Sequence, residues 1–133
     1  MKSRIRVLPV VLALGALVLA TAPAEAVVVL GVPGSYQVGF ATPQAVTVVG
    51  GPLALVNSDT QPHNVIALTA RRANGSAAWC SGYQAGKCPL FWSASVSAGE
   101  YTMVEGLADV VSGQSYQFYC SIHSRMIGTL TVL

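Results

Sequence analysis

Charge is scarce in this chain. Only 9% of its 133 residues are charged, seven basic and five acidic. Lys2, Arg4, Arg6 and Glu25 fall within the first 26 residues. The remaining residues, 27–133, hold Arg71, Arg72, Lys87 and Arg125 against Asp59, Glu100, Glu105 and Asp109, a formal balance of zero. A neutral chain without a basic cluster gives no warrant for a nucleic-acid or anionic-lipid partner. Long apolar runs are missing too: Val7 to Ala20 spans 14 residues, below the roughly 20 that a bilayer-spanning helix needs. There is no helical stripe of useful length, no internal repeat and no low-complexity segment. Histidine occurs twice and cysteine three times, so any chemistry built on these groups has few candidates.

The residues that are present sort into two parts. The opening 26, "MKSRIRVLPVVLALGALVLATAPAEA", have a basic start, a short apolar centre and the small residues Ala24 and Ala26 around Glu25, the pattern of a cleaved secretory signal. Cleavage after Ala26 leaves residues 27–133 as one domain, enough for a single core. The domain is then expected outside the cytoplasm, in a periplasm, in the medium or at a cell surface, with no membrane attachment after cleavage.

Export changes the meaning of three cysteines, because thiols outside the cytoplasm tend to pair. Cys80 and Cys88 lie in "WCSGYQAGKCPLFW", a loop whose ends can meet, and a disulfide between them would contribute about 2.5 kcal/mol in the chain-entropy picture. Cys120 is left over. An unpaired thiol there calls for burial, an intermolecular partner or a metal.

Short β-branched and aromatic runs dominate residues 27–133: "VVVLGV", "AVTVVG", "LALVN", "NVIAL", "YTMVE", "QSYQFYC" and "GTLTVL". Turn signals such as "VPGS", "GGP", "NSDTQP", "SAGE" and "SGQS" separate them. About seven to eight strands at this spacing predict an all-β Greek-key sandwich or barrel, antiparallel in the main. Residues from about 69 to 98 resist strand assignment and read as an insertion across one side, held down by Trp79, Tyr83, Phe91 and Trp92. In "QSYQFYC", alternation puts Tyr116, Phe118 and Cys120 on one face. If that face is the core, the unpaired sulfur enters at its edge.

"FYCSIHSRM" sets Cys120, His123 and Met126 at three-residue intervals in the connection before the last strand. The other histidine, His63, lies in "LALVNSDTQPHNVIAL", between a turn and a strand. Each residue alone has an ordinary structural reading, His63 as an exposed or packed imidazole and Met126 as core filling. Together, a thiolate, two imidazoles and a thioether compose a trigonal site with a weak axial ligand, which suits copper in two oxidation states. Zinc gains nothing from the thioether.

These two segments resemble the cupredoxins, specifically the plastocyanin and amicyanin group. "VNSDTQPHNV" looks like the group's Pro-His-Asn-Val element. "YQFYCSIHSRMIGTLTV" looks like its terminal element, with a short ligand loop closer to amicyanin. The resemblance implies that His63, Cys120, His123 and Met126 bind one type 1 copper ion. It also implies that Asn64 and Ser121, each directly following a ligand, tie the two ligand segments together. Asn57 is expected to cap the turn leading to His63. The insertion with Cys80 and Cys88, and Arg125 beside the ligands, depart from the group as a whole; a positive charge there is expected to raise the reduction potential.

The function implied is a one-electron carrier between redox proteins, acting as a monomer and docking at the exposed edge of His123, bordered by Ile122, Pro62 and Ile127. An alternative is copper binding and delivery with the same ligands. Catalysis at a second copper centre would need more histidines than His63 and His123, so no enzyme is expected.

Overall fold

The computed structural model describes residues 27–71 and 87–133. Seven strands appear in it: β1 (Val27–Gly31), β2 (Gln44–Thr47), β3 (Leu53–Asn57), β4 (Ile66–Ala67), β5 (Tyr101–Met103), β6 (Ser115–Tyr119) and β7 (Ile127–Val132). Each overlaps one of the seven runs read from the sequence. Two short helical pieces join them, α1 (Ser35–Val38) and a 3-10 turn at Leu107–Asp109. Neither is long enough to show a periodic stripe, and both begin after a glycine at positive φ, Gly34 and Gly106. Among the described residues no helix is long and apolar enough to cross a membrane.

The strands form two sheets, one in the order β1-β3-β5 and the other β2-β7-β6-β4. The antiparallel expectation holds for β3 with β5, β4 with β6 and β6 with β7. It fails for β1 with β3 and for β2 with β7, which are parallel. The cause is connectivity. Consecutive strands β1 and β2 lie in different sheets, so each takes a sequence-distant neighbour running in its own direction, a pairing that no tight hairpin can supply.

Alternation places the core between the sheets. Along β7, Gly128, Leu130 and Val132 are buried while Ile127 is exposed and Thr129 and Thr131 are half-buried. With Val29, Leu53, Leu55, Val65, Phe91, Phe118 and Met126 they enclose one apolar cluster, and Cys120 belongs to it. Phe118 faces Gly128 across the β6–β7 ladder. A Cβ at position 128 would overlap the Phe118 ring, so glycine is what lets that ring lie flat against the next strand and meet Phe40, its centroid 5.5 Å away.

The described flank of the insertion seals one side of the sandwich. Backbone bonds run from Ala67 N to Phe91 O and from Ser93 N to Val65 O. On the other side, Trp92 and Glu105 exchange both of theirs. Residues 88–96 therefore bridge the β4 edge of one sheet to the end of β5 in the other. Phe91 is fully buried in this seam and its ring meets Tyr116 edge-on. Trp79, Tyr83 and Cys80 lie outside the described residues, and so does the expected pairing of Cys80 with Cys88. The first 26 residues lie outside them as well.

Candidate metal centre

The loop between β6 and β7 is a tight bend because its own backbone closes it. Cys120 N donates to Met126 O at 2.9 Å, and Met126 N donates to His123 O at 3.1 Å. Cys120 continues the inward face of β6 beyond Phe118 and is 1% exposed. Three residues on, the bend turns His123 to the surface, half-buried. Met126 returns the chain to the core and is fully buried.

The upstream segment meets this bend from the other side of the sheet end. Asn57, at the end of β3, is fully buried. Its Oδ1 accepts from Asp59 N at 2.9 Å, and its Nδ2 donates to Gln61 O at 2.8 Å and Val96 O at 3.0 Å. This side chain shapes the turn 58–62. His63 comes next, with its backbone paired to Val96 and its side chain fully buried. Gly31 makes room for it: a Cβ there would stand 2.9 Å from His63 Cδ2.

The two segments bring three donor groups together. One ligand atom from each of His63, Cys120 and His123 lies within 4.8 Å of the others. His63 Nδ1 is 3.2 Å from His123 Nδ1, and Cys120 Sγ is 3.9 Å from that same His123 nitrogen. Met126 is tied to Cys120 and His123 by the backbone bonds of the bend, with its side chain buried in the core. Asn64 and Ser121 clasp the segments: Asn64 Nδ2 donates to Ser121 Oγ at 2.7 Å, and Ser121 N donates to Asn64 Oδ1 at 2.8 Å. Asn64 N also points at Cys120 Sγ, 3.5 Å away.

Sequence reasoning misses one residue of this centre. Asp59 is 1% exposed, and its Oδ2 accepts from His63 Nε2 at 2.9 Å. Its carboxylate also accepts from the backbone N–H groups of Gly34, Tyr36 and Thr60 and from the Thr60 hydroxyl. Burial pushes the Asp59 carboxyl up, but hydrogen bonds from His63, Thr60, Gly34 and Tyr36 outweigh it and hold the group below the usual carboxylate range. An acid four residues before a histidine was the available signal, hidden in a stretch that reads as an ordinary turn.

The electrostatics suit a cation. A carboxylate only accepts, so Nε2 of His63 carries a proton, and in the neutral ring the lone pair is then on Nδ1. That lone pair faces His123 Nδ1. Burial, and after it the nearby His63, push the His123 imidazole below the usual histidine range, against a smaller opposing pull from Asp59. Two imidazole nitrogens and a buried sulfur thus converge, all soft or intermediate donors. Among the described residues the cluster offers nitrogen and sulfur, not the oxygen ligands that magnesium or calcium prefers. The donor set fits copper, and of its three groups His123 is the half-buried one.

The segments beside His123 and His63 expose both apolar and polar side chains, Gln61, Ser121, Ser124 and Arg125 among the latter. Ile122 and Ile127 are exposed, as is Pro62. Tyr36 stands with its ring centroid 5.9 Å from that of His123. Arg125 is also exposed and donates to Gln37 O at 3.3 Å, so its charge leans toward α1.

No protein-family model and no curated protein sequence matches the chain. Solved structures do. A purple cupredoxin from Nitrosopumilus maritimus is similar over 80% of this chain and 98% of its own, with a TM-score of 0.54 and 18% identity. Amicyanin from Paracoccus versutus (Thiobacillus versutus) is similar over 86% of this chain and 87% of its own, with a TM-score of 0.55 and 22% identity. A reduced Cu(I) form of amicyanin gives a TM-score of 0.56 at 18% identity, covering 86% of this chain and 88% of that one. Identities this low speak to architecture alone, and on architecture they agree with the two sheets: the chain has the cupredoxin fold.

Proposed function

We propose that the protein is an exported type 1 copper protein that carries single electrons between redox partners. The observation behind this reading is the convergence of His63, Cys120 and His123, one ligand atom from each within 4.8 Å of the others, at the end of a cupredoxin sandwich with Met126 buried in the same bend. Copper bound there supplies a one-electron couple between Cu(I) and Cu(II). Amicyanin, similar in fold, is described in both a reduced Cu(I) and an oxidized state.

The chain's own residues supply rigidity and access. The Asn64–Ser121 clasp and the closed bend hold the ligands in one geometry for both oxidation states, so little has to move when an electron arrives. Burial of Cys120 and His63 keeps water from the sulfur side. His123 alone leads outward, through a rim of Pro62, Ile122 and Ile127 that suits apolar docking of a redox protein with weak electrostatic steering.

The test is titration of the purified protein with Cu(II). Intense visible absorption, one copper per chain and a narrow copper hyperfine splitting are expected. The colour should bleach on reduction, return on oxidation and vanish in Cys120→Ser. A protein that stays colourless refutes the reading. One that yields Cu(I) to a chelator within seconds supports copper delivery instead.

A further inference from the structure

Asp59 is more than a turn residue. Its carboxylate is buried, yet among the described residues no lysine or arginine pairs with it; the second ion pair there joins Arg71 to Asp109, elsewhere in the molecule. Its neighbours are dipoles and one imidazole. Oδ1 accepts from Gly34 N at 3.2 Å and from Thr60 N at 2.7 Å. Oδ2 accepts from Tyr36 N at 3.4 Å and from His63 Nε2 at 2.9 Å. A buried charge is costly unless donors surround it, and here they do. Anchoring the start of α1 would explain two of those contacts. The contact with His63 needs a different explanation, since any backbone carbonyl could hold that N–H without a charge being buried.

We propose that Asp59 is a positioning residue for the metal centre, which fixes His63 with its Nδ1 free to ligate and places a negative charge one imidazole ring away from the metal. This rests on the copper reading above. A hydrogen-bonded carboxylate makes an imidazole a more basic ligand, and an unneutralised negative charge favours the more highly charged metal state in a buried setting, where screening is weak. Asp59 therefore stabilises Cu(II) over Cu(I). It acts against Arg125, which is exposed and screened.

Asp59→Asn keeps the shape and an acceptor oxygen while removing the charge. In copper-loaded protein, the ratio of Cu(II) to Cu(I) affinity should fall at least tenfold, read as a rise of about 59 mV or more in the reduction potential. Asp59→Glu, which keeps the charge, should lie closer to the parent. An unchanged potential in an Asp59→Asn protein that still binds copper overturns the proposal. Imidazole 15N shifts of the metal-free parent protein give a second reading that needs neither a variant nor copper. They should show His63 protonated on Nε2 and bare on Nδ1, and the opposite tautomer overturns the proposal even if Asp59→Asn fails to fold. A parent protein that takes up no copper refutes the functional reading separately, and the tautomer then decides whether Asp59 orients His63.

Discussion

Removing the side chain of Asn64 measures how far the ligand segments depend on each other. Asn64→Ala deletes both bonds of the clasp, Nδ2 to Ser121 Oγ and Ser121 N to Oδ1. At about 0.5–1.5 kcal/mol net for each bond, the loss is about 1–3 kcal/mol. Ser121 is exposed, so water can satisfy its freed groups, which puts the expected value near the lower half of that range. Ser121→Ala removes only the first bond, because its backbone N–H still reaches Oδ1. It should cost about half as much, and the double variant should cost no more than Asn64→Ala alone. Urea unfolding of the metal-free protein reads these values as shifts of the midpoint at constant m. Loss of an outer partner also loosens the ligands, and copper affinity should drop about 10- to 100-fold in Asn64→Ala. If the two variants were additive and neither changed stability or affinity, the clasp would not be what holds the upstream segment to the bend.

Packing and charge set two further outcomes. Gly31→Ala drives a Cβ to 2.9 Å from His63 Cδ2 and 3.4 Å from Asn57 Oδ1; overpacking of this kind costs about 1–3 kcal/mol, and copper affinity should weaken with it, so an unchanged binding isotherm would show that the ring has slack. The metal-free protein should lose stability on acidification in two windows. His123 has its folded value held below 6.5, so the unfolded chain binds the proton first, and stability falls as pH drops below about 6.5 until the folded value is passed. Asp59, held below its ordinary 3.8, contributes stability that is complete above that value and is lost as pH falls through the folded one. Urea midpoints measured from pH 7 to pH 3 check both, and a flat midpoint between pH 7 and pH 5 would refute the first.

Strands and the bend were legible in the sequence because both are written locally. Alternation over five or six residues marks β6 and β7, and Cys120, His123 and Met126 sit within seven residues of one another. The place of His63 was legible through its neighbours, Pro62 and Asn64, rather than through any property of a lone histidine. Parallel pairing was not legible, since the register of β2 against β7 depends on contacts some 85 residues apart along the chain. Asp59 was hidden for a related reason. Its three backbone donors include two from Gly34 and Tyr36, and nothing in "NSDTQP" tells of a helical turn from another part of the chain lying over it. The role of residues 88–96 as a seam was only half visible: the sequence showed aromatic weight there, while the backbone bonds to Val65, Ala67 and Glu105 depend on the closed sandwich.

The position of β7 inside its sheet has a consequence for how the molecule comes into being. Among the described residues β2 pairs with β7 alone, so without residues 127–132 it has no partner strand there. A chain emerging from a ribosome can pair β3 with β5 and β4 with β6 before this stretch arrives, but β2 finds its place only when β7 zips between it and β6. Closure waits on distant pairings, which makes folding slow. The bend that holds Cys120 is set by that same late pairing, because Cys120 N donates to Met126 O beside the Tyr119–Ile127 rung.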